Sequence, residues 1–497
     1  AADLIEWRVD PIVGDPAAVA VIGRLVAESP RPCIVTARAA AEGGDLDADE
    51  PTRLDTLLAL AGLDPAPRYL DIELATWRDP AAADLRRAMA AAADRPDGPS
   101  LILSTHDFTS RPADLLGRVA AMAAEPVCRI MKIVWAARSL RDNLEAFDLL
   151  ADSVGPTVAL CMGPFGLPSR VLAPKFGGLF TFGAPTADRA SAPGQPTVDD
   201  LRRRYRFDAV TRSTRVYGVI GWPIDHSRSP DVHNVAFEAV GHDGVLLPLP
   251  IPPEYEHFKA TVGAMLDHAR LDFRGAAVTL PHKAHLVRFV RERDGRVSDL
   301  AARIDAANTL VVEDDGTLAC DNTDAPAAAA VLGRVAGRRV AVLGAGGVAS
   351  AVVGGLVSAG AVVTVFNRTR DRAAALAARF DGVEIGAAFD AASFDIIVNA
   401  TSIGMTGGPA PDDSPLDVLF GAAGALRSGV TVFETIYTPR ETPLVRAAAQ
   451  AGARTITGET MFLHQAALQS RRWTGVDAPL AAMEAALIAV DESSSSA

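Results

Sequence analysis

Lys132 sits in the middle of the apolar run IMKIVW, where a charged amine is costly unless it meets a partner or gives up its proton. An amine that has lost its proton is a nucleophile for a carbonyl carbon. His106, in the segment STHDF, could move protons beside such a reaction. Other charges lie in comparable runs. Strand periodicity puts Glu6, Arg8 and Asp10 on one face of LIEWRVD, and Asp71 and Glu73 on one face of YLDIEL. Buried charges without partners are unstable, so these groups are expected to converge on one another or on a ligand. The plainer alternatives are a structural salt bridge from Lys132 to Glu6 or Glu73, and a His106 satisfied within the core.

A second set of polar residues follows further along. After the strand-like VYGVIG comes WPIDHSRSPDVHN, a proline-bounded loop offering the hydroxyls of Ser227 and Ser229. AAVTLPHK then ends at Lys283, AANTL carries Asn308, and CDNTD ends at Asp324. Each fragment alone could be strand-end and turn chemistry, and Lys283 with Asp324 could be a plain salt bridge. The next segment, VAVLGAGGVAS, is a strand entering a glycine turn and leading into a helix, the context in which backbone N–H groups hold a pyrophosphate. On this reading Gly344, Ala345, Gly346, Gly347, Val348 and Ala349 form a dinucleotide cradle. The second strand, VVTVF, ends in Asn367, Arg368 and Thr369, where an NAD site usually has an acidic residue for the ribose. Arg368 can instead pair with a 2′-phosphate, so NADP is the expected cofactor.

These residues need elements to position them. Between Leu4 and Gly183, seven β-rich runs (LIEWRV, CIVTAR, YLDIEL, LILST, IMKIVW, TVALCM and LFTFGA) alternate with segments of helical period. That is a parallel βα array. A closed TIM-type (β/α) barrel uses eight strands and places its chemistry at their C-terminal ends, so one strand is expected upstream of Ala1, and a start that is not Met reads as truncated. The last barrel helix is expected over residues 198–205. The expected division is a barrel over 1–207, a substrate-binding domain over 214–331 rejoined by C-terminal helices over 461–490, and a Rossmann domain over 336–458. Residues 340–366 are uncharged and formally long enough to cross a bilayer. β-Branched clusters at both ends of that stretch, around a glycine turn, read instead as a buried β-α-β unit.

At 497 residues, 49% hydrophobic and 22% charged, the chain is foldable and too long for one core. A formal charge of −13 disfavours nucleic acid and anionic membrane as partners, so an anionic small molecule must be held by local Arg or Lys. Cys33, Cys128, Cys161 and Cys320 have no C-x-x-C spacing, which suggests neither a metal site nor a disulfide framework and fits a reducing cytoplasm.

Over roughly 4–206, the motifs LIEWRVD, TARAAAEGGD, YLDIEL, STHDF, MKI around Lys132, SR at Ser169 and Arg170, and SAPGQ resemble type I 3-dehydroquinate dehydratase. The resemblance implies that Lys132 forms an imine with the substrate ketone. It implies that His106 removes the adjacent proton and later protonates the departing hydroxyl, and that Glu73 orients and tunes His106. Arg170 is implied as the carboxylate anchor, with Glu6, Arg8, Arg38, Ser191 and Gln195 holding hydroxyls and closing the site, and no metal is implied. From Val216 to about Ala486, the motifs HSRSP, VTLPHK, ANT, DNTD, GAGG, NRT, NATSIG, ETIYTPRETP and GETMFLHQA resemble shikimate dehydrogenase. That resemblance implies Lys283 and Asp324 as the catalytic pair and Ser227, Ser229, Thr279, Asn308, Tyr437 and Gln465 as shikimate ligands, with Thr401 and Gly458 at the cofactor. Ala277 departs from the pattern, since many relatives carry Asn or Ser there. Together the two resemblances imply a bifunctional shikimate-pathway enzyme that dehydrates 3-dehydroquinate and reduces the product with NADPH. The competing expectations are a quinate-preferring dehydrogenase with a degenerate barrel, and a non-enzymatic metabolite-sensing module.

Overall fold

The computed structural model describes residues 2–46, 48–421 and 426–495, and the chain divides into two compact units, Ala1–Thr214 and Arg215–Ala497. In the first unit, β1 (Ile5–Arg8), β2 (Cys33–Thr36), β3 (Tyr69–Glu73), β4 (Ser100–Asp107), β5 (Cys128–Ala136) and β6 (Thr157–Met162) pair in chain order, all parallel. Parallel neighbours require crossovers, which helices such as Ala18–Ala27, Glu50–Ala61 and Asp142–Asp152 supply. The Glu50–Ala61 helix starts where it does because the Asp49 side chain accepts the Thr52 N–H at 3.0 Å and Pro51 fits the first turn. The inward faces of the strands carry Ile34 and Ile102 on the N-terminal side of Thr36 and Ser104, while Val134 and Leu160 line the cavity beside Lys132.

The array is an open half-barrel of six strands, one fewer than the sequence suggests. The run LFTFGA begins beside β6, with Leu179 N–H on Thr157 O at 3.0 Å, and turns Phe180 and Phe182 inward. Its far end then leaves the sheet. The N–H of Ala184 is taken by Pro196 O and its carbonyl by Val198 N–H, both at 2.9 Å, so Ala184 has nothing left to pair with β6. The expected helix over 198–205 is a short π-helical turn at Asp200–Arg204.

The second unit holds two sheets. One has the order β10-β12-β11-β9-β7-β8, from β7 (Arg215–Gly221), β8 (Gly244–Pro250), β9 (Phe273–Val278), β10 (Arg296–Val297), β11 (Thr309–Val312) and β12 (Leu318–Asp321), with β11 antiparallel to both neighbours. The other is wholly parallel in the doubly wound order β15-β14-β13-β16-β17-β18, from β13 (Arg339–Leu343), β14 (Val362–Phe366), β15 (Glu384–Ile385), β16 (Ile396–Asn399), β17 (Thr431–Glu434) and β18 (Arg454–Ile456). The long apolar stretch is therefore β13, the helix Gly347–Ser358 and β14, and no described helix is long and apolar enough to cross a membrane. The helices Gly458–Thr474 and Leu480–Ser495 fold back onto the helix Ser229–Ala239 through Val232, Ala236, Ala466 and Met483.

Small residues set how close two of these helices come. A Cβ on Gly355, in the Gly347–Ser358 helix, would overlap the carbonyl oxygen of Ala325, in the helix Asp324–Leu332. Since the obstruction is backbone, only separation of the helices could relieve it. Gly355→Ala should therefore destabilise the second unit by about 1–3 kcal/mol or more. A melting transition of that unit unchanged from wild type would contradict the close packing.

Candidate active sites

In the first unit the charged strand residues meet at the C-terminal ends of the strands. Lys132 Nζ lies 2.9 Å from Asp71 Oδ2 and 3.5 Å from Glu6 Oε1, with the Phe182 ring centroid 4.3 Å away. Arg38 holds the same Asp71 oxygen at 2.9 Å and Glu73 Oε1 at 2.9 Å, while Arg53 holds Glu73 Oε2 at 2.9 Å. Burial alone would raise the Asp71 carboxyl, but Arg38 and Lys132 outweigh it and keep Asp71 below the usual carboxylate range. One cavity is lined by Glu6, Arg8, Arg38, His106, Lys132, Arg170, Ser191 and Gln195, all expected at the site, together with Glu42. Arg8 pairs with Asp10 through two bonds of 2.9 Å, and Ser191 donates its N–H to Gln195 Oε1 at 2.8 Å. Arg170 is buried, and its Nε has no hydrogen-bond partner among the described residues.

Glu73 does not orient His106. It lies 1% exposed, with its oxygens taken by Arg38, Arg53 and the Ala39 N–H. The carboxylate on His106 is Glu42, whose Oε2 accepts the His106 backbone N–H at 2.8 Å and stands 3.0 Å from Nδ1. With Glu42 ionised, that contact favours the proton of a neutral ring on Nδ1 and leaves Nε2 unprotonated. Burial, then the charges of Arg38 and Lys132, pull the His106 pKa well below the usual range. Burial and the nearby Glu73 push Glu42 up to about 7.

In the second unit Lys283 Nζ and Asp324 Oδ2 are 2.6 Å apart. Beside Asp324, the Asn308 amide donates to Thr323 Oγ1 at 3.0 Å and to Gln465 Oε1 at 3.3 Å, so Asn308 and Gln465 share one polar cluster with the catalytic candidates. Ser229 donates its N–H to Ser227 Oγ at 3.3 Å, and Thr279 donates its N–H to Ile220 O, at the end of β7, at 2.8 Å. Tyr437 is not drawn into this cluster: it is 52% exposed, with its ring against Phe462. Ala277 lies in an apolar cluster with Tyr217, Val219 and Trp473 and brings no polar group.

The glycine turn has the shape a dinucleotide needs. Gly344 has φ +111°, and a Cβ there would stand 2.7 Å from Ala400 O, so only glycine fits. At Gly346 and Gly347, the N-cap and first residue of the helix, a Cβ would meet nothing within 4 Å, which leaves the helix N-terminus open to a ligand. Ala345 and Val348 are partly buried, and Ala349 is a core residue, so these three can offer backbone only. Asn367 shapes the turn after β14 through Nδ2 on Thr369 O at 2.8 Å, and Arg368 is exposed there. The Thr401 methyl borders Gly344. Gly458 has a packing reason, because a Cβ would stand 2.6 Å from Thr435 O. Among the described residues no group of His, Cys, Asp or Glu is placed to hold a metal ion.

Family models match in the same order: Type I 3-dehydroquinase over residues 1–212, the shikimate dehydrogenase substrate binding domain over 219–310, shikimate / quinate 5-dehydrogenase over 327–404, and the shikimate 5′-dehydrogenase C-terminal domain over 458–488. The chloroplastic bifunctional 3-dehydroquinate dehydratase/shikimate dehydrogenase of Arabidopsis thaliana is 33% identical over 502 residues, covering 96% of this chain and 78% of that protein. The chain belongs to the bifunctional 3-dehydroquinate dehydratase/shikimate dehydrogenase family. It is thus an enzyme with a lyase half and an oxidoreductase half. The shikimate dehydrogenase (NADP(+)) of Rubrobacter xylanophilus is 40% identical over 290 residues, covering 55% of this chain and 95% of that one. A crystal structure of a shikimate dehydrogenase in complex with NADP+ matches with TM-score 0.50 and 32% identity, covering 56% of this chain and 96% of that one.

Within this dehydratase/dehydrogenase, sequence reasoning missed Glu42, Asp71 as the partner of Lys132, and the buried pair Asn399 and Glu434. Glu42 had one signal, its place before Gly43-Gly44. Gly43 has φ +81°, and a Cβ on Gly44 would overlap Arg38 O, so the loop folds back over the site. Glu42→Gln should lower dehydratase kcat by about 100-fold or more. It should also remove the limb that rises with pH through about 7 as Glu42 ionises. Glu73→Gln should mainly cost stability, about 3–5 kcal/mol, because two buried guanidinium groups lose their carboxylate. The assignment fails if the kinetic effect follows Glu73 and the Glu42 variant behaves as wild type.

Proposed function

We propose that the first unit dehydrates 3-dehydroquinate through an imine on Lys132 and that the second reduces the resulting ketone to shikimate with NADPH. The observation that carries the first step is one cavity wall shared by an amine, a base and an uncompensated cation: Lys132, His106 and Arg170. Once its ammonium proton has passed to solvent, the Lys132 amine adds to the ketone carbon, and loss of water leaves an iminium that draws electrons from the neighbouring C–H bond. His106 Nε2 takes that proton, with Glu42 stabilising the imidazolium, and returns one to the hydroxyl as it departs. Arg170 holds the substrate carboxylate, and Glu6, Arg8, Arg38, Ser191 and Gln195 hold hydroxyls and close the cavity. Hydrolysis of the conjugated imine frees the product and restores Lys132.

For the reductive step, bound NADPH supplies the hydride. Lys283 donates the proton that the new alkoxide needs, and Asp324, 2.6 Å away, orients it. Ser227, Ser229, Thr279, Asn308 and Gln465 hold the substrate, and Tyr437 approaches from its exposed loop. Gly344, Gly346, Gly347 and the helix behind them hold the pyrophosphate, and Arg368 pairs with the 2′-phosphate. The substrate-binding domain is read as 214–331 with 461–490, and the cofactor domain as 336–458. A cytoplasmic location is inferred from the wide spacing of the four cysteines alone, and small molecules are the partners inferred.

With only four lysines in the chain, at 132, 175, 259 and 283, borohydride trapping is easily mapped. Reduction in the presence of 3-dehydroquinate should fix a substrate-derived mass on the Lys132 peptide, and Lys132→Ala should show none while keeping ketone reduction. A mass appearing on another lysine would overturn the mechanism. Arg368→Ala should weaken NADPH binding by about 10–100-fold, the loss of a charge-assisted contact of about 1.5–3 kcal/mol, with little change for NADH. Equal losses for both cofactors would remove Arg368 from the phosphate site.

A further inference from the structure

Leu343, Asn399 and Glu434 end three adjacent parallel strands side by side, with Leu343 in register with Asn399 and Asn399 in register with Glu434. Two loops leave the sheet at this edge. The one after Asn399 passes under the glycine turn, with Ala400 O and the Thr401 methyl against Gly344, and the one after Glu434 carries Tyr437. Glu434 is fully buried, yet nothing cationic pairs with it among the described residues. Its Oε1 and Oε2 receive the Asn399 amide at 2.9 and 3.1 Å, Oε1 receives the Ile436 N–H at 3.1 Å, and Oε2 receives the Thr442 hydroxyl at 2.8 Å.

Burial pushes the Glu434 carboxyl up to about 7; above that it accepts only, and so forces the amide nitrogen of Asn399 toward itself and the amide oxygen toward the other loop. That oxygen takes the Thr401 N–H at 3.0 Å and the Thr401 hydroxyl at 2.7 Å, and Thr401 Oγ1 in turn accepts the Ile403 N–H at 3.1 Å. One charge therefore sets the direction of every bond through residues 399–403 and anchors residues 436–442 as well. A buried carboxylate held by neutral donors is costly, and an apolar pair of similar shape would serve packing alone with less penalty.

The place of this network along the cofactor follows from strand order. Arg368 lies beyond β14, on one side of β13, whereas Asn399 and Glu434 lie at the ends of β16 and β17 on the other. A dinucleotide whose pyrophosphate rests on Gly346 and Gly347 spans the two sides. Resting on the NADP reading above, we propose that Glu434 is a positioning residue for the nicotinamide half of the cofactor, acting through Asn399 and Thr401 on one loop and through Thr442 on the other.

The test uses the full chain and reads NADPH and NADH binding directly, by fluorescence or calorimetry, beside both activities. Glu434→Gln should raise the dissociation constants of NADPH and NADH together, by about 10-fold, leave their ratio unchanged and spare dehydration. The exchange Glu434→Gln with Asn399→Asp restores an amide–carboxylate pair in the opposite sense and should recover most of the loss. Thr442→Val, which removes the donor to Glu434 together with the Oγ1 cap on the Val445 N–H of the following helix, covers the case in which Glu434→Gln does not fold, and should weaken both cofactors about 3-fold. A folded Glu434→Gln, or Thr442→Val, that binds both cofactors as wild type overturns the proposal. So does a loss confined to NADPH, which would put the network at the adenosine end. If the wild-type chain binds neither cofactor, the NADP reading itself falls, a result distinct from either.

Discussion

Each unit is organised by the need to give a lysine shielded from solvent a carboxylate, Lys132 being buried and Lys283 part-buried. Lys132 is met by Asp71 at 2.9 Å across 61 residues of sequence, and Lys283 by Asp324 at 2.6 Å across 41. A lysine left without its partner in such surroundings costs about 3–5 kcal/mol, comparable to a large share of a domain's net stability. The elements carrying the carboxylates are accordingly fixed in register. β3 and β5 bracket β4, with Glu73 opposite Ser104 and Ser104 opposite Lys132, and the Ser104 hydroxyl donates to Asp71 at 2.6 Å. In the second unit Asp324 opens a helix that the Gly355 contact holds against the Gly347–Ser358 helix, so Asp324 and the glycine turn rest on two closely packed helices.

The residues legible in the sequence were those on regular elements. Strand period put Glu6 and Arg8 on one face of LIEWRVD, Lys132 stood out as the charge within the apolar IMKIVW, and the cavity brings all three together. Period alone gives the face of a strand and not the depth along it. Glu73 is on the interior face as expected but belongs to a layer of guanidinium groups, and Glu42 occupies the place beside His106. Glu42 lies in a loop, where no periodicity exists to read, and only the two glycines after it hint at a fold-back. The seventh strand failed for a related reason: β-rich composition makes a run extended, but a ladder needs partners, and the backbone of Ala184 is bonded elsewhere.

The cofactor half was more legible because its function is written in backbone. A glycine turn between a strand and a helix admits few conformations, and Gly344 shows why, with a left-handed φ and a carbonyl where a side chain would go. The Glu434 network was invisible for the opposite reason. NATSIG and ETIYTPRETP announce polar strand ends, but only the parallel register of β16 and β17 reveals that Asn399 and Glu434 face each other.

The three buried arginines of the dehydratase half show how the same burial is put to different use. Burial by itself lowers the pKa of each guanidinium. For Arg38 it is outweighed by Asp71 and Glu73, and for Arg53 by Glu50 and Glu73, so both end above the usual value. Together these residues form a run of alternating charge, Glu50, Arg53, Glu73, Arg38, Asp71, Lys132, in which each group is neutralised by the next. That run can position Lys132, but it has little attraction left for an anion. Arg170 has no carboxylate beside it, and burial pulls it down to about 10. Its Nη1 reaches only the Phe182 carbonyl, at 3.5 Å. Arg38 and Arg53 thus meet carboxylates within the fold, whereas Arg170 meets none among the described residues; on the proposed reading its charge is left for the ligand. A substrate carboxylate is the group whose arrival would reverse the downward shift.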